Sequence, residues 1–239
     1  EIGSGLVGSE MCIRDSYIRV LDRSGYFETV TLSEDDLKRN DMYRANAQRA
    51  KAQSRFADYH DYLLSLEMTA EIGDFSPLYL QRITQLTNKS NQFNLTTKRY
   101  TAEQMEAVYN SDEYIRLYGK LYDKFGDNGV VAVTIGKTDS ENKGRLDIEL
   151  WLMSCRVLKR DMELAMLDSL VAQAKKRGIR EIYGHYYPTA KNKMVAGLYE
   201  SFGFEKISQD EECNTAWRLL VEGYEDKNTV IKVKEEHYA

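Results

Sequence analysis

One cysteine of this sequence stands where covalent chemistry is feasible. The mostly apolar segment 147–157 is predicted to form a β-strand, and Cys155 lies near its carboxyl end. Arg156, Lys159 and Arg160 follow, at the start of a predicted helix. Ligands gather outside the carboxyl ends of parallel strands, and cations near a helix N-terminus favour a thiolate over a thiol. Cys155 could therefore carry an acyl group as a thioester; a buried, inert cysteine is the alternative.

A histidine on the next predicted strand could act as a general base. His185 lies in the segment 179–186, where strand alternation places it on one face with Tyr183 and Tyr187. Histidine is the side chain that gains or loses its proton near neutral pH, which is the property that a general base needs. A structural role, frequent for a partly exposed strand histidine, is the alternative.

The elements that must position these residues form a compact pattern. Strand 147–157, helix 160–177 and strand 179–186 have the spacing of a right-handed βαβ unit with two parallel strands. A shorter helix follows and ends within 198–204. The other predicted elements are helices that begin near Ser33, Phe56, Ser76 and Thr101, a hairpin of 114–125 with 130–137, and short strands at 215–221 and 230–233.

Composition excludes several classes of protein. The 239 residues carry a formal net charge of −5, so no excess of lysine and arginine is available to neutralise nucleic-acid phosphates. No apolar run approaches the roughly 20 residues that a membrane span needs, so no membrane partner is expected. Cys12, Cys155 and Cys213 have neither metal-ligand spacing nor the pattern of a disulfide framework. A cytoplasmic protein without a metal site is the expectation.

Four separated motifs together resemble the carboxyl-terminal part of the FkbH-like proteins. The motifs are QLTNKSNQFNLTT at 85–97, WLMSCRVL at 151–158, YPTAKN at 187–192 and LYESFGF at 198–204. Proteins of this family join a HAD-type phosphatase domain to a GNAT-like acyltransferase domain. The resemblance implies an α/β fold with a mixed sheet, preceded by a helical extension left from the HAD domain. It also implies an acyltransferase that handles a small acyl unit, glyceryl in the best understood members, as a thioester on an acyl carrier protein.

The resemblance assigns roles to four further residues. In GNAT enzymes two parallel strands splay apart, and the pantetheine arm of the acyl donor lies in the gap. Asn192 resembles the asparagine that bonds the pantetheine amide, and Tyr199 resembles the tyrosine that protonates the leaving thiolate. Phe93 and Asn94 are implied to line the acyl pocket. For Tyr199, simple packing against the sheet is the alternative.

The loop 156–162 departs from the GNAT pattern. A phosphate-binding loop ahead of a helix is usually rich in glycine, because glycine lets the backbone approach the phosphate, and this loop has none. Arg156, Lys159 and Arg160 could instead meet the single phosphodiester of a carrier-bound phosphopantetheine, or acidic residues of the carrier. A solvated basic turn is the alternative. The expected cofactor is therefore carrier-bound phosphopantetheine, with CoA as the second possibility.

The chain divides into four predicted segments. Residues 1–16 lack periodicity and resemble a translated sequencing adapter, so they are set apart from the fold. Residues 17–73 are predicted to be a helical linker left from the HAD domain, 74–222 the GNAT-like domain and 223–239 a charged tail. The Asp-x-Asp-x-Thr motif of HAD phosphatases does not occur in the sequence, so no phosphatase activity is expected from this chain.

Two other functions are compatible with the same residues. The chain could be an N-acetyltransferase that uses acetyl-CoA, although the missing loop glycines count against it. It could also be a GNAT-like module that docks a carrier protein or positions the HAD domain without catalysis.

Overall fold

The structure, a computed structural model, describes residues 39–235. The chain divides into two compact units, Glu1–Arg44 and Ala45–Ala239, and the account below concerns the second. The adapter-like segment 1–16 and the helix start predicted near Ser33 lie outside the described residues.

The described residues form a mixed α/β structure. Its helices are α1 (Arg39–Gln53), α2 (Tyr59–Ser65), α3 (Pro77–Lys89), α4 (Ala102–Tyr109), α5 (Met162–Lys176) and α6 (Leu198–Ser201). Its strands are β1 (Thr69–Asp74), β2 (Phe93–Asn94), β3 (Tyr114–Asp123), β4 (Gly126–Thr138), β5 (Arg145–Met153), β6 (Glu181–Tyr186), β7 (Glu205–Gln209), β8 (Thr215–Leu220) and β9 (Lys232–Glu235). Short 3-10 turns occupy Cys155–Val157 and Lys193–Val195. No helix within 39–235 is long and apolar enough to cross a membrane.

The strands form one mixed sheet in the order β7-β8-β6-β5-β4-β3-β1-β9, with β2 paired to β5. The pair β5 and β6 is parallel and α5 connects the two strands, as the sequence predicts. The pair β3 and β4 is the predicted antiparallel hairpin. The predicted fold class, α/β with a mixed sheet, is therefore confirmed. The assignment of α1 and α2 to a former HAD domain stays a prediction.

Each face of the sheet carries its own apolar layer. On one face α5 contributes residues such as Met162, Met166 and Leu170, which pack with α6, Trp151 and other buried side chains. On the other face Ile83 of α3 and Met105 of α4 pack against β3, β4 and the end of β5. The two sides of the sheet are called the α5 face and the α3–α4 face below.

Local signals explain where two helices begin. Pro77 occupies the first position of α3, where its missing N–H costs nothing. Thr101 and Gln104 form the predicted capping box of α4. The Thr101 side chain accepts from the Gln104 N–H at 3.2 Å, and the Thr101 N–H donates to Gln104 Oε1 at 2.9 Å.

Both ends of the GNAT-like segment differ from the sequence-based division. The sheet already begins with β1 (Thr69–Asp74), inside the segment assigned to the linker. The segment assigned to the tail contributes β9, and Val230 and Ile231 are buried ahead of it. The carboxylate of Asp168 on α5 holds this tail, accepting hydrogen bonds from the Tyr224 hydroxyl at 2.5 Å and the Asn228 N–H at 2.8 Å. The tail therefore completes the sheet.

Candidate functional site

The parallel strands β5 and β6 separate after a short ladder. Their paired rungs end at Asp147 opposite Tyr183. In the ladder between β4 and β5, Ile135 pairs with Leu150 and Gly136 with Ile148, so Glu149 is an extra, bulged residue. A bulge bends and twists its strand. The bulge coincides with the point where β5 leaves β6, and a gap opens between the two strands from there onward.

Residues 93–97, here called the gap segment, occupy this opening. Four contacts join the segment to the free edge of β5. Two are strand pairings, of Phe93 with Met153 and of Asn94 with Leu152. The other two are hydrogen bonds, from the Leu95 N–H to the Trp151 carbonyl at 3.1 Å and from Thr96 Oγ1 to the Glu149 carbonyl at 2.7 Å. On the β6 side, the Tyr187 N–H donates to the Leu95 carbonyl at 2.9 Å. The gap segment therefore occupies the backbone hydrogen-bonding groups at the edge of β5 that a ligand in the gap would use.

The two predicted asparagines hold the gap segment in place. Asn192 is fully buried, and its Nδ2 donates to the carbonyls of Asn94 and Tyr187, both at 2.9 Å. Asn94 is equally buried, and its Oδ1 accepts from the Thr97 N–H at 2.9 Å. Phe93 is buried in the apolar layer on the α5 face. The structure thus brings Phe93, Asn94 and Asn192 together, with their polar groups bonded to the chain.

Tyr199 lies in the gap on the α5 face. Its ring packs where residue 184 has no side chain, because a Cβ on Gly184 would be 2.3 Å from the ring. It also meets Trp151 of β5 edge-on, with ring centroids 6.3 Å apart. The Tyr199 hydroxyl and the Trp151 Nε1–H are both buried and have no hydrogen-bond partner among the described residues. The Tyr199 side chain therefore bridges the separated strands. Its hydroxyl and the Trp151 Nε1–H are two donors in the gap without an acceptor among the described residues.

Unpaired buried donors are costly, roughly 1–3 kcal/mol each, and invite an acceptor. The Tyr199 hydroxyl lies near the backbone of His185 without an acceptable hydrogen-bond geometry. Burial raises the pKa of Tyr199, so the phenol stays protonated at neutral pH. Complete proton transfer to a thiolate, whose conjugate acid has a pKa of about 8.5, is then unfavourable. Tyr199 is suited to donating a hydrogen bond to an acceptor in the gap.

His185 lies on the opposite, α3–α4 face, at the vertex of the gap. Ile182 and Tyr186 belong to the layer on the α5 face, so alternation along β6 directs Tyr183 and His185 the other way. His185 Nε2 is 3.3 Å from Asp147 Oδ1. Burial alone would raise the pKa of Asp147, but hydrogen bonds from His185 and Arg145 outweigh it and lower that pKa.

Arg145 fixes the carboxylate of Asp147 through two hydrogen bonds. Its Nε donates to Asp147 Oδ2 at 2.8 Å, and its Nη2 donates to Oδ1 at 2.6 Å. The Arg145 guanidinium carbon is also 3.8 Å from the centre of the Tyr183 ring. These residues form an ordered chain of contacts, from Tyr183 through Arg145 and Asp147 to His185.

Glu149 forms a second polar group. The Tyr100 hydroxyl donates to Glu149 Oε2 at 3.1 Å, and Lys98 Nζ forms an ion pair with the same oxygen. Burial and the nearby Glu149 charge raise the pKa of Tyr100. Sequence reasoning missed Asp147 and Glu149, although two carboxylates in an otherwise apolar strand are a signal that could have identified them.

The structure does not bring Cys155 and His185 together. Cys155 is exposed and lies in a 3-10 turn, because β5 ends at Met153 and not at the predicted residue 157. Six residues of strand separate Asp147 from Met153, and at roughly 3.3 Å per residue the thiol lies on the order of 20 Å from the imidazole. Cys155 and His185 therefore do not form a nucleophile and base pair.

The three predicted cations of the loop differ in their surroundings. Arg156 Nε donates to Ser154 Oγ at 3.2 Å, and Lys159 is exposed, with its carbonyl accepting from the Tyr59 hydroxyl at 2.6 Å. Arg160 is buried, and its Nη1 donates to Asp123 Oδ2 at 3.1 Å. Burial and the neighbouring Arg49 lower the pKa of Arg160. Arg160 therefore points into the protein and not towards a ligand at the loop.

The N-terminus of α5 carries two carboxyl groups. Asp161 is the N-cap, with φ of +59°, and Glu163 lies in the first turn. Burial raises the pKa of Asp161, and it raises the pKa of Glu163 to about 7. A helix N-terminus attracts anions, but two carboxyl groups already stand at this one. Within the described residues, no group of three or more His, Cys, Asp or Glu side chains could hold a metal ion.

No protein-family model matches the chain, and no curated protein sequence does. Among solved structures it is similar to the ribosomal-protein-S18-alanine N-acetyltransferase of Escherichia coli, with a TM-score of 0.49, 12% identity, and coverage of 67% of this chain and 99% of that one. It is also similar to YncA of Salmonella typhimurium with its cofactor acetyl-CoA, with a TM-score of 0.49, 13% identity, and coverage of 66% and 96%. A GNAT-family acetyltransferase of Streptococcus pneumoniae has a TM-score of 0.48, 16% identity, and coverage of 63% and 99%.

Proposed function

We propose that this chain is an acyltransferase-type domain that acts on an acyl thioester carried by the phosphopantetheine of an acyl carrier protein. The observation that carries the proposal is the gap between β5 and β6, where the Tyr199 hydroxyl and Trp151 Nε1–H are buried and have no hydrogen-bond partner within residues 39–235. Donors of this kind suit a carbonyl oxygen or a departing thiolate. On the other face, His185 lies at the vertex of the same gap, where a base is needed.

The entrance of the gap favours a carrier-bound donor over free CoA. The diphosphate of CoA would lie at a helix N-terminus that already carries the carboxyl group of Asp161, whereas a single phosphodiester needs only one contact. The exposed Lys159, with Arg156 near it, offers that contact and also suits the acidic surface of a carrier protein. Arg160 takes no part in this proposal, because its guanidinium is committed to Asp123.

The gap segment must leave β5 before an extended arm can lie along that strand. An arm in the gap would compete for the Trp151 carbonyl, which now accepts from the Leu95 N–H. We therefore propose that the segment withdraws when the carrier docks, and that Phe93 and Asn94 then border a small, glyceryl-type acyl unit. Asn192, which now holds the Asn94 carbonyl, becomes free to bond an amide of the arm.

Cys155 is proposed as an acceptor of the acyl group that acts apart from the Tyr199 and His185 site, because its thiol lies on the order of 20 Å from the His185 imidazole. Its thiol is exposed at the carboxyl end of β5. The Cys155 thiolate would attack the thioester carbonyl carbon, a new carbon–sulfur bond would form, and the pantetheine thiolate would leave and take up a proton. Because both bonds are thioesters, the exchange needs no further energy source.

The experiment presents the chain with a glyceryl thioester of a carrier protein, and separately with acetyl-CoA, and follows both by intact-mass spectrometry. Transfer from the carrier that is absent with acetyl-CoA supports the proposal. A covalent adduct that persists in Cys155→Ser would exclude Cys155 as the acceptor. Saturable acetyl-CoA binding with acetyl transfer to an amine would instead identify an N-acetyltransferase.

Docking without catalysis is the second candidate function. The observation in its favour is the gap segment, whose backbone and side chains close the gap. A stable complex with the carrier protein, without adduct or transfer under any tested condition, would establish it.

A further inference from the structure

We infer that Asp147, held by Arg145, is a positioning residue that fixes the tautomer of His185 and so makes His185 Nδ1 the base for an acceptor on the α3–α4 face. The inference rests on the proposed function and deepens it, because it names the side of the sheet from which the acceptor enters. The acceptor class is a nucleophile that must give up a proton: a hydroxyl, an amine or a thiol.

The charge of Asp147 determines which imidazole nitrogen carries the proton. The lowered pKa of Asp147 keeps it a carboxylate at neutral pH, and a carboxylate only accepts hydrogen bonds. His185 Nε2, 3.3 Å from Asp147 Oδ1, must then be the protonated nitrogen. The unprotonated nitrogen of the neutral ring is therefore Nδ1.

Arg145 makes Asp147 a rigid partner. Two hydrogen bonds from one guanidinium set both the position and the plane of the carboxylate. The Tyr183 ring, against which that guanidinium lies, belongs to the last paired rung of β5 and β6. These contacts thus fix the imidazole relative to the last paired rung, at the vertex of the gap. The imidazole therefore keeps its orientation when the strands beyond that rung move.

The two faces of the sheet then take different parts of one reaction. The acceptor heteroatom attacks the thioester carbonyl carbon and its proton passes to His185 Nδ1. The carbon–sulfur bond breaks, and the departing thiolate accepts a hydrogen bond from Tyr199 in the gap before a proton from solvent neutralises it. The Tyr199 hydroxyl lies near the backbone of His185, so the two groups flank one point of β6.

Nitrogen-15 NMR of the imidazole rings tests the positioning independently of activity. The chain has three histidines, and His185→Gln identifies the signals of residue 185. We expect the Nε2–H tautomer in the wild type. In Asp147→Asn we expect a shift towards Nδ1–H, because the asparagine amide can donate to Nε2. Asp139→Asn is the matched control, because Asp139 Oδ2 lies 3.9 Å from Nε of the same Arg145. An unchanged tautomer in Asp147→Asn would overturn the inference.

Transfer kinetics with the glyceryl-carrier and an added acceptor provide the second test. We expect Asp147→Asn to lower kcat on the order of 100-fold with KM within about twofold, and to add little to the loss in His185→Gln. Asp139→Asn should transfer at the wild-type rate. Wild-type transfer that Asp147→Asn does not diminish would overturn the positioning role and leave the proposed function intact. Absence of transfer by the wild type would overturn both.

Discussion

Asp123 and Arg160 form a buried ion pair that joins the β3–β4 hairpin to the loop ahead of α5. Arg160 Nη1 lies 3.1 Å from Asp123 Oδ2, and the Asp123 side chain is fully buried. Arg49 of α1 meets the same carboxylate, with its Nε at 2.8 Å. One carboxylate therefore pairs with two buried guanidinium groups and ties three parts of the chain together.

The first prediction follows from this pairing. Asp123→Asn leaves two buried arginines without a counter-charge and should lower the free energy of unfolding by about 3–5 kcal/mol. Urea denaturation measures the loss. Glu205→Gln, which breaks the exposed pair with Arg218, is the control and should cost less than about 1 kcal/mol. Equal effects of the two substitutions would contradict the structural role of Asp123.

The second prediction concerns the pH dependence of stability. Burial raises the pKa of Glu163 from 4.5 to about 7. The folded state therefore favours the neutral acid, and stability is lost as the pH rises from about 4.5 to 7. We expect Glu163→Gln to stabilise the protein by about 1–3 kcal/mol at pH 8 and to change little at pH 4. Urea unfolding at the two pH values gives the comparison.

Glu103 provides the matched control for Glu163. Both residues occupy the second position of a helix, but Glu103 is exposed and a hydrogen bond from Thr101 lowers its pKa. Glu103→Gln should therefore slightly destabilise the protein at neutral pH, the opposite sign to Glu163→Gln. The same sign for both variants would rule out burial as the cause.

The third prediction tests the hold of the gap segment. Thr96→Val keeps the shape of the side chain but removes the hydrogen bond from Thr96 Oγ1 to the Glu149 carbonyl. We expect faster hydrogen exchange at the Leu95 and Tyr187 amides, by roughly fivefold to tenfold for a bond worth about 1 kcal/mol. Thr84→Val, which removes a hydrogen bond within α3, should leave these two amides unchanged.

The fourth prediction separates stability from activity at Tyr199. Tyr199→Phe removes a buried hydroxyl that has no partner in the part of the chain that the structure describes, so stability should be unchanged or rise by up to about 1 kcal/mol. Transfer from the carrier thioester should fall by about tenfold or more, because the departing thiolate loses its donor. Thermal unfolding and intact-mass kinetics give the two readings.

Tyr186→Phe is the comparison for Tyr199→Phe. The Tyr186 ring is similarly buried, but its hydroxyl bonds Asn192 Oδ1 at 3.5 Å. We expect a small loss of stability and a transfer rate close to the wild type. Equal transfer by the two variants would remove Tyr199 from the proposed site.

Local patterns made much of the fold predictable from sequence. The capping box at Thr101 and Gln104 involves residues three apart, and the β3–β4 hairpin involves neighbouring segments. The βαβ unit follows from the lengths of apolar runs. These features depend on residues that are close together in the sequence, so they can be predicted without knowing how distant segments pair.

The main features of the candidate site depend on long-range pairing. Leu95 bonds Trp151, and Asn192 bonds Asn94, which lies 98 positions earlier in the sequence. The bulge at Glu149 arises in the ladder with β4, and no local pattern marks it. The mostly apolar run 147–157 predicts a strand that includes Cys155, whereas Ser154 starts a 3-10 turn by accepting from the Arg156 N–H.

The charged residues of β9 give the carboxyl-terminal segment a protective role. β9 covers the edge of β1, which would otherwise expose unpaired backbone groups. Its own outer edge carries the exposed Lys232 and Lys234, and lysines on a border strand repel the edge of another molecule. A polypeptide shortened before Lys232 would present β1 as an open template for strand addition. Among the described residues β9 is thus the border strand of the sheet, and we expect its lysines to disfavour the addition of a further strand.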